Sequence, residues 1–292
     1  MRNAANQNAA RRSVKRTRLR MASALVGIAL TLLPSVTAAG GGPKGPDANT
    51  LVRRMLAAYK KATSVQADFE AQILRMRGLE YIQSGTIRYK RPDRVELYTT
   101  DPLTGTFHAW ADGRAISVYS GTNNSYTKRT APPGLGPTIA GIEKVSEEVL
   151  GVRSTQIFSP LSFILAKDMP REAQTFTYLR DETILGRKTH CVSAKLNMSF
   201  IQEMLQSQRI IVLQRDVKLW IDVQNNQLVR SASTILWKAP TQESTTKKLV
   251  YRPDGISFQE TYRNVIFDAP IKDDVFRFTP PQGARQLFQE RR

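Results

Sequence analysis

From Val65 to Lys90 apolar and polar residues alternate with a period of two, and no other feature of the chain restricts its fold as tightly. Val65, Ala67, Phe69, Ala71 and Ile73 alternate with Gln66, Asp68, Glu70 and Gln72; further on, Ile87 and Tyr89 alternate with Arg88 and Lys90. This is the pattern of strands with one apolar face. Pro92 stops it, because proline has no N–H for the ladder and biases Arg91 towards an extended backbone. Val95, Leu97 and the β-formers Tyr98, Thr99 and Thr100 restart it. Two strands therefore meet at a tight corner with Arg91 at the rim. An edge-strand turn carrying solvated basic residues has the same signature.

The same rhythm covers most of the chain. Short strands are expected at 95–100, 106–111, 115–119 and 125–129, joined by Asp101-Pro102, Asp112-Gly113 and Gly121-Thr122-Asn123-Asn124, all of them turn chemistry. A second set is expected at 174–184, 188–196, 215–223, 228–237, 246–252 and 255–266. Helical periodicity is confined to a few stretches. Residues 50–62, capped by Asp47 or Asn49, put Leu51, Met55, Leu56 and Tyr59 on one face. Residues 131–137, with three prolines and two glycines, read as a loop, and 141–150 and 159–167 as helices. In the second of these Ser159 is the cap, Pro160 the first helical residue, and Leu161, Ile164 and Leu165 an apolar stripe, suited to core packing or to a lid. Residues 198–209 also have a helical face. With no βαβ alternation and no repeat, the expected class is α+β: one large antiparallel sheet with a few helices.

The amino terminus follows other rules. Residues 2–20 hold seven basic residues and no acid, Met21 to Leu33 are apolar apart from Ser23 and Thr31, and Pro34 to Ala39 offer small residues for cleavage. That order is a secretory signal peptide, with an apolar run too short for an ordinary membrane span. The expected organisation is a signal peptide at 1–39, a flexible linker at 40–46 and a single domain at 47–288, with no stable membrane span once the signal is removed. Without the leader's seven basic residues the formal charge of +18 falls to +11. The excess favours anionic partners such as lipid headgroups or phosphates. Nucleic acid is not expected, given export and the lack of a long basic run interleaved with aromatics. Cys191 is the only cysteine, so no intramolecular disulfide forms.

Catalytic chemistry is hard to find. The two histidines are His108, close to Trp110, and His190, beside Cys191; adjacent strand residues point to opposite faces, so His190 and Cys191 make a poor nucleophile–base pair. No His/Cys cluster has metal-ligand spacing, and no phosphate-binding loop or nucleophile elbow is present. No enzyme, cofactor or metal is expected, although scattered acids leave a fold-assembled carboxylate pair open.

Four stretches, in order, carry a resemblance: Gly85-Thr-Ile-Arg-Tyr-Lys-Arg-Pro-Asp93; Asp112-Gly113 with Tyr119 following; the Pro-Leu helix Ser159 to Ala166; and the ending Phe276-Arg-Phe-Thr-Pro-Pro-Gln-Gly283. Together they resemble the periplasmic outer-membrane lipoprotein carriers, the LolA-like family. The resemblance implies an incomplete β-barrel whose concave face is covered by helices, with acyl chains of lipoproteins or other lipids carried in an apolar hollow by a monomer. Arg91 matches the arginine thought to hold the family's lid closed. On that template Phe69, Ile73, Ile87, Tyr89, Leu97, Phe107, Leu161, Ile164 and Leu165 are the expected lining, unless Phe69, Ile87 and Leu97 are closed core. The stretches 130–157 and 198–214 are longer than such a carrier needs. An envelope module that binds a protein partner or a lipid signal is the alternative reading.

Overall fold

The structure, a computed structural model, describes residues 45–75, 78–101, 105–150, 173–196, 211–242 and 249–287. Helix α1 (Ala48–Lys61) begins where Asp47 accepts the N–H of Thr50 at 2.9 Å. That bond satisfies one of the amides a helix start leaves without a partner. Ala48, Leu51, Val52, Met55 and Tyr59 are buried, one stripe at helical spacing, while Lys60 and Lys61 stand at the negative end of the helix dipole. Met55 and Tyr59 are fully enclosed.

Among the described residues twelve strands form one sheet. In chain order they are β1 (Ser64–Arg75), β2 (Gly78–Lys90), β3 (Arg94–Asp101), β4 (Gly105–Asp112), β5 (Ala115–Ser120), β6 (Ser125–Thr130), then β7 (Ala173–Ile184), β8 (Arg187–Leu196), β9 (Ile211–Asp222), β10 (Leu228–Gln242), β11 (Leu249–Phe267) and β12 (Arg285–Gln286). Their spatial order is β12-β6-β5-β4-β3-β2-β1-β11-β10-β9-β8-β7. The first six and the next five strands are each meanders, joined where β1 lies antiparallel to β11. β12 and β7 occupy opposite edges, so the curved sheet is an unclosed barrel.

One face of the sheet is the core face. The register lines up Val65, Tyr89, Val95, Ala111 and Ile116, and one row further Ala67, Ile87, Leu97, Ala109 and Val118. All ten are buried in one apolar cluster with α1 and with α2 (Leu135–Leu150). α2 packs on β3 to β6, and α1 on β7 and β9. Gly141 permits α2 its approach, since a Cβ there would stand 2.5 Å from Cδ1 of Ile116. The opposite, outer face carries a buried ion cluster in which Glu96 accepts from Arg88 at 2.8 Å and pairs with His108 at 2.8 Å.

The structure differs from the sequence reading at several elements. α2 begins at Leu135, inside the stretch read as a loop, because Pro137 falls in its first turn, where a missing N–H costs nothing. β9 begins at Ile211 and β10 runs on to Gln242. The two strands read at 246–252 and 255–266 are one strand, β11, passing straight through Pro253. Its pairing with β1 ends at Ile256, so beyond that point β11 is locally an edge and Pro253 has no second neighbour to serve. The sheet is not wholly antiparallel, since β12 lies parallel to β6. Residues 1–44, 159–167 and 198–209, with the leader and the two helices read there, lie outside the described residues.

Candidate functional site

Six of the nine expected lining residues fall on the core face. Phe69, Ile87, Tyr89, Leu97 and Phe107 are buried in the main cluster, and Ile73 is buried beside it. At these positions the sheet is packed against its own helices. Leu161, Ile164 and Leu165 lie outside the described residues.

Further along β10 and β11 the same face changes character. Tyr262 and Leu228 are fully enclosed, near the α1 end. A polar row follows, in which Gln83 lies opposite Ala71, Ala71 opposite Glu260, and Glu260 opposite Ser231. Gln83, Glu260 and Ser231 are all buried, Tyr262 donates a short hydrogen bond to Glu260, and the hydroxyl of Ser231 has no partner. Beyond the polar row four apolar side chains, accompanied by Ser233 and Asp254, are only half-buried. Phe258 pairs with Ser233, Ile256 with Ile235, and Asp254 with Trp237. Phe258, Ile256, Ile235 and Trp237 thus form an apolar floor adjoining buried Ile73 and Val217.

The sequence reading missed this floor, although its signal was present. Ile256 and Phe258 alternate with Ser257 and Gln259, and Ile235 and Trp237 with Thr234 and Leu236. The breaker Pro253-Asp254-Gly255 and the serines at 231 and 233 obscured a face that only the pairing of β10 with β11 completes.

Arg91 stands at the corner between β2 and β3, and its contacts run to the end of α1. Its backbone N–H donates to the carbonyl of Thr63 at 2.8 Å, Nε to that of Ala62 at 3.0 Å and Nη2 to that of Tyr59 at 3.2 Å. These are carbonyls that a helix end leaves open, and a guanidinium suits both their lone pairs and the dipole. The hydroxyl of Tyr89 donates to the same Tyr59 carbonyl at 3.2 Å. Beside it Asp268 accepts from the N–H and the hydroxyl of Thr63, at 2.7 and 2.8 Å, and these two bonds hold its carboxyl below the usual value. Burial pushes the phenols of Tyr59 and Tyr89 well above theirs. The node is built to fix the α1 terminus on the sheet rim. The stretch 159–167, which a lid latch would engage, lies outside the described residues.

Cys191 and His190 stand apart from this node. Cys191 is buried on the outer face with Ile184, Trp220 and Val229, and burial, then the charge of Glu182, pushes its thiol up to about 11. His190 bonds Asp181 at 2.6 Å and has no part in a dyad with Cys191. Among the described residues no group of His, Cys, Asp and Glu is placed to hold a metal ion, and no helix is long and apolar enough to cross a membrane.

Solved structures similar to this one share little sequence with it. The Mycobacterium tuberculosis lipoprotein LppX is 16% identical, with 77% of this chain and 97% of that one covered at a TM-score of 0.39. LprF from Mycobacterium bovis is 15% identical, covering 83% and 100% at 0.40. A LolA superfamily protein from Nitrosomonas europaea is 10% identical, covering 80% and 98% at 0.33. Comparison with curated proteins finds no match. A family model does match, over residues 48–288, and the chain belongs to that family, DUF2092, described as a predicted periplasmic protein.

Proposed function

We propose that this protein is an envelope binding protein, without catalytic turnover, that holds the acyl chains of a lipid or lipoprotein on the open half of its core face. The observation that carries the reading is the half-buried floor of Phe258, Ile256, Ile235 and Trp237, continuous in register with a packed apolar core. Each methylene removed from water contributes about 0.8 kcal/mol, so a few turns of acyl chain on such a floor reach useful affinity. The polar row Gln83, Glu260 and Ser231 marks the boundary where apolar contact gives way to groups able to bond an ester, amide or hydroxyl. A carrier must also release its load, and a partly exposed floor keeps that step low in cost.

The test is binding of a fluorescent fatty acid, NBD-stearate, with native mass spectrometry of protein purified from the envelope. Saturable binding that drops about tenfold or more in Ile256→Asp and Trp237→Asp, at unchanged melting temperature, is the expected result. Absence of saturable binding overturns the proposal. A second reading, docking of a protein partner, is favoured by the exposed Ile211, Leu213, Leu249 and Tyr251 at the ends of β9 and β11. Under that reading mass spectrometry finds a stoichiometric polypeptide in place of lipid.

A further inference from the structure

The outer face of the sheet holds a second, unrelated site. After β11 the chain returns as a strap across β3 to β6. A 3-10 turn (Asp273–Phe276) packs on β3 and β4, with Phe276 fully enclosed. Asp273 bonds Lys90 at 2.8 Å and also pairs with Arg94. Phe278 lies tilted between Trp110 and Tyr126, with ring centroids 4.9 and 5.0 Å away, and β12 then pairs with β6. Between strap and sheet lies a cavity of about 170 Å³ whose wall includes Trp110, Asp112, Ser117, Lys128, Arg277 and Phe278. It is smaller than the roughly 300–1,000 Å³ of pockets that enclose drug-sized ligands, so it admits a small polar group and not an acyl chain.

Three charged side chains in this wall, the exposed Lys128 and Arg277 and the partly buried Asp112, have bonding capacity to spare. Lys128 and Arg277 have no ion-pair or hydrogen-bond partner for their side chains among the described residues. Ser117, only 3% exposed, lines the cavity as well. Asp112 is half engaged: Oδ1 accepts the N–H groups of Arg114 and Ala115, each at 2.8 Å, and Oδ2 accepts none. The wall therefore presents two cations, one hydroxyl and one carboxylate oxygen.

We propose that this cavity binds a zwitterionic phosphodiester headgroup, in which a phosphate carrying one negative charge is joined by a short carbon bridge to an ammonium. Lys128 and Arg277 take the phosphate, with Ser117 donating to one of its oxygens. Asp112 takes the ammonium, by ion pairing. A dianion is disfavoured by the carboxylate of Asp112, and a simple amine leaves both cations uncovered. The headgroup comes either from a soluble glycerophosphodiester or from the face of a bilayer, and the chemistry of recognition is the same.

The test titrates the full chain with glycerophosphoethanolamine and with glycerophosphoglycerol, reading the Trp110 indole and Ser117 amide signals by NMR. Saturable binding of the first is expected, weaker by about tenfold for each cation removed in Lys128→Ala and Arg277→Ala. Asp112→Asn keeps the turn, because its amide oxygen accepts the same N–H groups; it should weaken glycerophosphoethanolamine about threefold and leave glycerophosphoglycerol unchanged. Competition by vesicles containing phosphatidylethanolamine assigns the source to a bilayer, and lack of competition assigns it to the soluble diester. Binding that does not saturate, that survives loss of both cations, or that ignores Asp112→Asn overturns the proposal. Because the cavity is on the face opposite the apolar floor, Lys128→Ala and Arg277→Ala leave fatty-acid binding intact, and the two proposals fail separately.

Discussion

The phenolic oxygen of Tyr59 accepts the backbone N–H of Leu228 at 3.3 Å, so a helix side chain completes the hydrogen bonding of the first residue of β10. The ring is fully buried, edge-on to Phe267 at 4.9 Å. Through this bond α1 holds the junction of the two meanders, where β10 and β11 approach β1. Tyr59→Phe preserves the packing and leaves the Leu228 amide buried without an acceptor. We expect a loss of about 1–3 kcal/mol in urea denaturation, with the slope of the transition unchanged.

Arg91 acts on the same helix from the other side. Arg91→Leu removes the bonds from Nε and Nη2 to the carbonyls of Ala62 and Tyr59 but keeps the backbone bond to Thr63. The variant should fold cooperatively with a loss of about 1–2 kcal/mol, and the last turn of α1 should exchange its amide hydrogens faster. Release of bound NBD-stearate should quicken in stopped-flow measurements. An unchanged release rate removes any gating role for Arg91.

Asp222 makes stability depend on pH. Burial pushes its carboxyl up, but the N–H groups of Asn225 and Gln224 and the guanidinium of Arg187 outweigh burial and hold it below 3.8. Nε of Arg187 stands 2.7 Å away. Because the folded value is the lower one, this contribution is complete above the unfolded value and is lost as pH falls through the folded one. Asp222→Asn should therefore be less stable than the parent by about 1–3 kcal/mol at neutral pH, and the gap should close in acid below 3.8. Thermal melts across that range read the difference directly.

Under α2 the sheet is less well satisfied. Ser120, Ser125 and Thr127 are all buried on β5 and β6, and none of their hydroxyls has a partner. Thr127→Val keeps the side-chain shape and removes one orphaned hydroxyl. A gain of about 1 kcal/mol in chemical denaturation is expected, and a loss would mean that the hydroxyl is bonded in solution.

Gly85 lies opposite Phe69 on the core face, and a Cβ there would approach Cζ of Phe69 to 2.9 Å and the carbonyl oxygen of Tyr98 to 2.1 Å. The backbone oxygen cannot retreat without parting β2 from β3. Gly85→Ala should cost about 3 kcal/mol, measured as a fall in the denaturation midpoint.

Local pattern was enough to place α1, the strands of the first meander and the face each of them turns inward. The period-2 runs at Val65–Ile73 and Ile87–Leu97 and the stripe Leu51–Met55–Tyr59 reflect backbone geometry acting within a few residues. The same locality explains the errors at Pro137 and Pro253. Whether a missing N–H matters depends on what lies beside it, in one case the open first turn of a helix, in the other a strand with no second neighbour. Arg91 was recognisable at its corner, but its partners were not, because the end of α1 reaches it from thirty residues away.

The chain's own order of residues settled its class, an α+β sheet with one apolar face, since alternation and turn chemistry are decided by each residue and its neighbours. Tertiary structure alone decided how much of that face is filled. Ile73 and Phe258 are 185 positions apart and become neighbours only when β1 pairs with β11. Burial is a sum over such distant partners, and no local pattern contains it.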